Sequence, residues 1–586
     1  MQSIIQKLSD IVGTAFVAEG LEASFGRVVF SDRPDLAQFQ CNGAMSAAKA
    51  AKQNPRAVAE KIIGHLQNND LFLKVEIAGP GFINLTLKDN VLSEHVSAIA
   101  GDERSGVPVF NSGDTIVLDY GGPNIAKAMH VGHLRSGIIG DTLRRILSFA
   151  GYKTLGDIHM GDWGTHMGML FNDYMKRGEQ NIVLDTDLSD PESVQRLFDD
   201  MGERYPRASG AAKEDEAIRA EALEATVKLQ NGDPLFREMW EKVRAVSVMA
   251  MEKNYRALNV EFDLWKGEAD VHELIAPMVE KLKAGHYAIP SDGAIVIPVM
   301  QNDDTKEYPP LILVKRDGGF MYGTTDLATL QERMDLYKPA KIIYVVDQRQ
   351  HLHFEQVFRA AKIGGIVPKD VELTHAGHGT MNGTDGKPFK TRAGGVLKLE
   401  DLIAMGLQKA RERLHEAGMD KDVSPAELED IAHKVAIAAI KFADLQNNRI
   451  ADYVFDLDRL TQFEGKTGPY LLYQAVRIKS LLQKADAQGF KAGSNILSID
   501  ENRSLLLLLS AFPESVDNAV RNYTPHVLCD HAYKLAQEFS AFYAKVHILS
   551  ETDEVKRASL ILLCRAVYAQ LEKTLGLLGI DIPERM

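Results

Sequence analysis

Residues Pro123–His133 read PNIAKAMHVGH, between an apolar run, TIVLDY at Thr115–Tyr120, and a stretch from Gly132 toward Phe149 that reads as a helix. In that stretch Ile138, Ile139, Leu143, Ile146 and Leu147 recur at spacings that keep one face apolar. A second strand is expected at Lys153–Met160, so strand, helix and strand make a parallel βαβ unit. The loop after the first strand of such a unit lies at the carboxyl edge of the sheet, where open α/β sheets bind ligands. His130 and His133 fall on one face of the helix start, and Gly132 between them removes a Cβ where a ribose or base could approach the backbone. Free backbone N–H groups and the positive end of the helix dipole favour phosphate there, and imidazoles add donors, so ATP is the expected guest. A capped helix start or half of a metal site would use the same two histidines. Zinc is disfavoured because Cys41, Cys529 and Cys564 are far apart and no CxxC occurs.

The rest of the chain sets bounds on this reading. Its 586 residues exceed one core, so two to four domains are expected. With 45% hydrophobic and 25% charged residues the composition is that of a globular protein, and three cysteines cannot build a disulfide framework, which suits a reducing cytoplasm. The opening MQSIIQKLSDIVGTAF mixes polar and apolar residues at helical spacing, unlike a signal peptide. The longest apolar run, around Leu505–Leu509, is far short of the roughly 20 residues that cross a bilayer, so no membrane segment is expected. A net charge of −14 argues against indiscriminate nucleic-acid binding, yet a local basic track could still hold one RNA.

Residues 1 to about 108 read as a small α/β module: Leu73, Val75 and Ile77 alternate with polar residues, AGPG turns the chain, and Ile83, Leu85 and Leu87 alternate again. A helix at Ala57–Leu66 packs on that hairpin, and Gly101–Asp114 reads as a linker. The next domain runs from about 109 to 450, split by a mostly helical insertion at about 170–260. Its sheet is expected to resume with AIVIPV at Ala294–Val299, LILVK at Leu311–Lys315 and KIIYVV at Lys341–Val346. Residues 451–586 turn almost wholly helical, and the periodic patterns His531–Ile548 and Arg557–Leu577 argue a bundle.

HVGH at His130–His133 resembles the HIGH signature of class I aminoacyl-tRNA synthetases, and PNIAKAMHVGHLRS is similar to the bacterial arginyl-tRNA synthetases in particular. GDWGTHMG at Gly161–Gly168, SDGAIV at Ser291–Val296, MYGTTDLA at Met321–Ala328, DGKPFKTRAGG at Asp385–Gly395, TGPYLLYQAVRI at Thr467–Ile478 and the terminal GIDIPERM resemble the same family in the same order. The resemblance covers essentially the whole chain. It implies an α/β fold with a Rossmann-like catalytic domain, a small N-terminal α/β domain that contacts the tRNA elbow, and a C-terminal all-α bundle that binds the anticodon. The implied activity is ligation of L-arginine to tRNA(Arg) through arginyl adenylate, with ATP and its accompanying Mg2+, by a cytoplasmic monomer. Relatives generally need tRNA bound before they activate arginine.

Carried onto this chain, the resemblance gives ATP the whole segment Pro123, Asn124, Ile125, Ala126, Lys127, Ala128, Met129, His130, Val131, Gly132 and His133, with His130 and His133 as donors to phosphate. Where KMSK is usual the chain reads KPFKTR at Lys387–Arg392, flanked by Gly383, Gly386, Gly394 and Gly395. Those residues alone read first as a solvated basic loop, and with the surrounding glycines as a mobile one that closes over triphosphate. The family points to Lys127 as the compensating cation, with Lys390 and Arg392 assisting. No resident metal is implied.

A guanidinium taken from water must meet carboxylates, and its planar fork suits bidentate acceptors. Asp119 closes the first strand, Tyr322 and Asp326 share a face if helical, and Glu268 follows Gly267. The resemblance puts these four around the guanidinium, with Asn124 and Gln350 on the α-amino group. Such a pocket rejects uncharged analogues without an editing domain. For tRNA, Gln38, Phe39, Gln40 and Asn42 in LAQFQCNG could read an unpaired base or form an ordinary hydrated loop. Tyr470, Tyr473 and Arg477 lie in a stripe that is core edge or anticodon surface, and only the resemblance promotes the latter. The rivals are a nucleotidyl transferase that acts without tRNA and a catalytically silent RNA-binding relative.

Overall fold

The computed structural model describes residues 2–586 apart from 34–35, 112, 317, 388–396 and 422, and the chain divides into two units. The first to be considered comprises Asn111–Asp422 and Val435–Thr461. Its central layer is a four-stranded, wholly parallel sheet. Strand β1 (Thr115–Tyr120) leads into helix α1 (Gly132–Phe149) and β2 (Lys153–Asp157); α2 (Tyr322–Tyr337), β3 (Lys341–Val345), α3 (His351–Ile363) and β4 (Glu372–His375) follow. The spatial order is β4-β3-β1-β2. Ile116, Val117 and Leu118 in β1 and Ile342 and Ile343 in β3 are fully buried, the near-continuous apolar pattern of strands covered on both faces. From β1 the chain crosses outward to β2, and from β3 it crosses the other way to β4. The loops after β1 and β3 therefore diverge, opening a crevice at the carboxyl edge.

Two expectations need correction. The second strand stops at Asp157 instead of reaching Met160, because His159 adopts φ +35° and turns the backbone out of the ladder. Met160 then pairs with Gly267. AIVIPV and LILVK do not extend the parallel sheet. Ala294–Ile297 and Leu311–Val314 pair antiparallel, with Ile289–Ser291, in a separate three-stranded sheet. Asp292 and Gly293, at φ +47° and +81°, form a two-residue hairpin turn, and a hairpin can only be antiparallel.

Five helices lie between Thr165 and Ala257, of which Pro191–Glu214 and Pro234–Ala257 are the longest. Each of these two starts with an aspartate, Asp190 or Asp233, whose carboxylate accepts two backbone N–H groups, followed by proline at the first helical position.

The second unit contains Met1–Phe110, Val423–Lys434 and Gln462–Met586. Its antiparallel sheet includes the expected hairpin, Phe72–Ala78 with Phe82–Leu87, in which Val75 opposes Leu85 and Ile77 opposes Ile83. Helix Pro55–Leu66, capped by Asn54, packs against it. The C-terminal helices include Gly468–Ala487, His526–Lys545 and Glu554–Leu577. The first and last parts of the chain meet here: the Arg503 guanidinium donates to the Leu87 carbonyl at 3.1 Å, and the Ser3 hydroxyl bonds the Glu514 carboxylate.

Candidate active site

Helix α1 is fixed by groups buried beneath its first two turns. Arg135, 2% exposed, donates to the fully buried Asp444 at 3.0 Å and to the Ala451 carbonyl at 3.0 Å. The Ser136 hydroxyl accepts from Gly121 N–H at 2.8 Å and bonds the Val345 carbonyl, tying the ends of β1 and β3 to the helix. Gly140 leaves the space that the Tyr120 ring occupies, since a Cβ there would lie 2.2 Å from Tyr120 Cγ. The helix start therefore has a set position relative to the crevice.

At that start the His130 and His133 rings lie against each other, tilted by 32°, with centroids 3.9 Å apart. His130 N–H donates to His133 Nδ1 at 3.1 Å, and Gly132 N–H donates to His130 Nδ1 at 3.0 Å. A nitrogen that accepts from a backbone N–H carries no proton, so in both neutral rings the proton sits on Nε2, which is left as the donor. Burial and the neighbouring His130 push His133 down to about 3, and burial with the Lys127 ammonium lowers His130. Both imidazoles are uncharged donors at neutral pH. The Lys127 ammonium lies 4.4 Å above the ring of Tyr205, and it adds to the burial that lowers His166.

The preceding loop is held by GDWGTHMG. Ile125 N–H donates to Gly161 O at 3.0 Å, and a Cβ on Gly161 would lie 2.1 Å from Asn124 Oδ1, so a larger residue there would turn the Asn124 side chain aside. The buried Asp162 accepts from Ala269 N–H at 2.9 Å and Arg244 Nε at 3.0 Å, which fixes the short helical turn carrying Glu268. On the other side of HVGH, Val131 N–H donates to Leu397 O at 3.0 Å and Leu399 N–H to Met129 O at 2.9 Å. Lys390 and Arg392 lie outside the described residues.

In the sheet, Asp119 directly opposes Asp157, an arrangement in which like charges repel. One nitrogen resolves it: Arg333 Nη2 donates to Asp119 at 2.6 Å and to Asp157 at 2.7 Å, with the Arg333 side chain 1% exposed. Asp119, Asp157 and His159 offer ligand atoms within 4.8 Å of one another, a spacing fit for a cation. Arg333 already supplies that positive charge, so the set does not suit a resident metal. Burial raises Asp119, with the Arg333 guanidinium opposing it.

Helix α2 presents Asp326, Thr329 and Arg333 on one face, by their spacing. Asp326 accepts from His353 Nε2 at 2.6 Å and holds that imidazole above its usual range. Thr329 Oγ1 contacts His159 Nε2 at 3.3 Å. Glu268 is raised to about 7 by burial first, then by Asp162 and Asp326. It has no ion-pair partner among the described residues. His159 Nδ1, Arg333 Nε and Nη1, and Tyr344 OH are buried without a hydrogen-bond partner among the described residues, which is rare.

The structure couples these groups pairwise: Asp119 with His159 and Tyr344, Glu268 with His159 and Asp326, and Asp326 with Tyr344. Tyr322 stands 73% exposed on the first turn of α2. Asn124 and Gln350 lie exposed on the diverging loops. Sequence reasoning missed Arg333, Asp162, Arg244 and His353. Buried arginines and aspartates of this kind look like surface charges in a sequence, although Asp162 stands within one of the quoted stretches.

The expected RNA contacts need revision in part. Phe39 is 0% exposed and packs on Phe30 with centroids 5.0 Å apart, so it cannot stack on a base. Gln38 is 7% exposed, and its side-chain oxygen accepts Leu87 N–H at 2.8 Å. In strand Phe39–Cys41 the first and last side chains face the core, and the bond to Leu87 holds Gln38 inward just before it. Gln40 bonds Asn84 at 2.9 Å, and Asn42 is exposed. In the helical region Tyr470, Tyr473 and Arg477 follow one helix face, half-buried; Tyr470 meets Tyr533 edge-on at 5.8 Å and Arg477 lies 4.4 Å over Tyr543.

Among the described residues no helix is long and apolar enough to cross a membrane. Residues 95–457 match the model of the class I (R) tRNA synthetase catalytic domain, 471–586 the DALR anticodon binding domain, and 2–87 the arginyl tRNA synthetase N terminal domain. The chain is 48% identical over 590 residues to the arginine–tRNA ligase of Hyphomonas neptunium and 45% identical over 590 to that of Alkaliphilus oremlandii, covering 100% of both chains in each case. The crystal structure of arginyl-tRNA synthetase from Plasmodium falciparum superposes with a TM-score of 0.81 at 26% identity, over 100% of each chain. The Thermus thermophilus arginyl-tRNA synthetase shares the fold with a TM-score of 0.83 at 22% identity, again over 100% of each chain. With its class I crevice and all three domain models matched, the chain belongs to the arginyl-tRNA synthetases, the ligases that use ATP to join arginine to tRNA.

Proposed function

We propose that HVGH binds the phosphates of ATP and that the carboxylates across the crevice take the guanidinium of arginine, so that the two substrates meet head to head. The observation that carries this is the pairing of uncharged, tautomer-fixed imidazole donors at a helix start with buried carboxylates at the same sheet edge. The arginine carboxylate, already ionised, attacks the α-phosphorus; a new P–O bond forms as the bond to the β,γ-phosphates breaks and pyrophosphate leaves. No general base is required, and catalysis is alignment plus stabilisation of charge on phosphate oxygens. His130 and His133 donate through Nε2, and Lys127, with Lys390 and Arg392, neutralises the departing pyrophosphate. Mg2+ enters as part of the nucleotide substrate. Asp326, Glu268 and Asp119 hold the guanidinium with Tyr322 beside them, and Asn124 and Gln350 hold the α-amino group. In the second step a hydroxyl of the terminal ribose of tRNA(Arg) attacks the arginyl carbonyl and AMP leaves.

The partner is tRNA(Arg), met at its elbow by residues 1–108, with Gln40 and Asn42 as the accessible candidates, and at its anticodon by 451–586 through Tyr470, Tyr473 and Arg477. The enzyme works as a cytoplasmic monomer. Arginine-dependent pyrophosphate exchange, with and without tRNA, tests the reading. Exchange that needs arginine and is promoted by tRNA(Arg) supports it, and exchange without arginine dependence refutes it.

A further inference from the structure

The Lys127 ammonium sits 4.4 Å above the Tyr205 ring. Among the described residues Lys127 makes no ion pair, although it is half-buried. Burial is the main cause that lowers His130, His133 and His166, and the Lys127 ammonium adds to it in each, so its charge acts at the helix start from which phosphate would be bound. Tyr205 belongs to the inserted helix Pro191–Glu214, distant in sequence from the motif. Its hydroxyl has no hydrogen-bond partner among the described residues, so the ring face is what it contributes to Lys127.

A half-buried ammonium next to an anion site can be held in two ways. A carboxylate would hold it firmly but cancel its charge, and the pair would have to break each time phosphate arrived. An aromatic face attracts the cation through its quadrupole while adding no net charge, so the full field stays available. We propose that Tyr205 is a positioning residue: its ring holds Lys127 over HVGH, ready for the phosphates, and so makes the helical insertion part of the activation step. This rests on the reading of Lys127 as the phosphate cation.

The test is arginine-dependent pyrophosphate exchange by the full chain with tRNA present, comparing Tyr205→Phe, Tyr205→Leu, Lys127→Met and the double variant Lys127→Met/Tyr205→Leu. A cation–π contact of the usual strength corresponds to roughly 2- to 30-fold in rate. Tyr205→Leu should lower kcat within that range, leave the KM for arginine unchanged and leave the unfolding midpoint near that of the parent. Tyr205→Phe, which keeps the ring face, should restore the parental rate. In the double variant Tyr205→Leu should add nothing to the loss caused by Lys127→Met, because it acts through a side chain already gone. Equal losses for Phe and Leu, a parental rate for Leu, or additive losses in the double variant would each overturn the proposal. Should Tyr205→Leu not fold, Tyr205→Met takes its place in the same cycle. A parental rate for Lys127→Met would refute the reading of Lys127 itself.

Discussion

Arginine binding should release a proton from Glu268. Burial and the adjacent Asp162 and Asp326 hold its carboxyl at about 7, far above the ordinary 4.5. A carboxyl raised in the fold is stable there as the acid, so its contribution to stability is present below 4.5 and is lost as pH rises through about 7. A guanidinium reverses this, because it needs the ionised form. With its carboxyl at about 7, Glu268 is about one-eleventh ionised at pH 6 and about ten-elevenths at pH 8, so arginine affinity should improve about tenfold between them. Calorimetric titration of arginine at pH 6 and 8, in buffers of differing ionisation enthalpy and with tRNA present, gives both the affinity and the protons released. Nearly one proton should leave per arginine bound at pH 6 and almost none at pH 8. Glu268→Gln should weaken binding at pH 8 and flatten the profile. Flat affinity in the parent, or a tenfold slope that survives in Glu268→Gln, would refute the reasoning. In the second case the slope would point to His353, which the Asp326 hydrogen bond raises above its usual range.

Three further outcomes are expected. His130→Asn or His133→Asn should lower kcat for exchange by about 10²-fold or more while the arginine KM stays within about twofold, since the donors act on charge that develops in the transition state. Asp326→Ala should raise the arginine KM by about 10- to 100-fold, the range of a hydrogen bond to a charged group, with ATP KM unchanged in initial-rate assays; parallel loss of both would make Asp326 a fold residue. Asp444→Ala strips the buried Arg135 guanidinium of its counter-ion and should cost about 3 kcal/mol in urea unfolding, together with a slower exchange rate because Arg135 anchors the helix that starts at HVGH.

The strand-loop-helix frame was legible because it is written locally: TIVLDY is a buried parallel strand, and the apolar face of α1 follows helical spacing. AIVIPV and LILVK look the same as TIVLDY over a few residues; the Asp292–Gly293 turn reveals only that AIVIPV pairs antiparallel with Ile289–Ser291, and nothing local marks the pairing of LILVK. The histidines were legible as a pair, but their tautomer depends on Gly132 N–H and His130 N–H, which a sequence does not orient. Arg333 could not be found from its neighbours in the chain. Its partners, Asp119 and Asp157, are brought beside one another only by the register of β1 and β2. Phe39 misled for a related reason. Three residues of strand are too short to show alternation, so a core ring passed for a loop aromatic.

Charge in the crevice is distributed unevenly, and this bears on why arginine is selected. Asp119 and Asp157 share the Arg333 guanidinium, Asp326 takes His353, and Glu268 lacks an ion-pair partner among the described residues. The protein meets that deficit by keeping Glu268 protonated up to about pH 7. On the proposed reading a substrate cation displaces this proton, and the energy of ionising a half-buried carboxyl is recovered only if the incoming group brings a full charge and donors in the right plane. Citrulline brings no charge, so Glu268 would keep its proton and the two would compete for the same acceptors. Lysine brings the charge without the planar fork. Discrimination against an uncharged analogue should therefore grow as pH rises past Glu268's titration, because the uncompensated carboxylate then penalises the empty or wrongly filled pocket and rewards only the guanidinium.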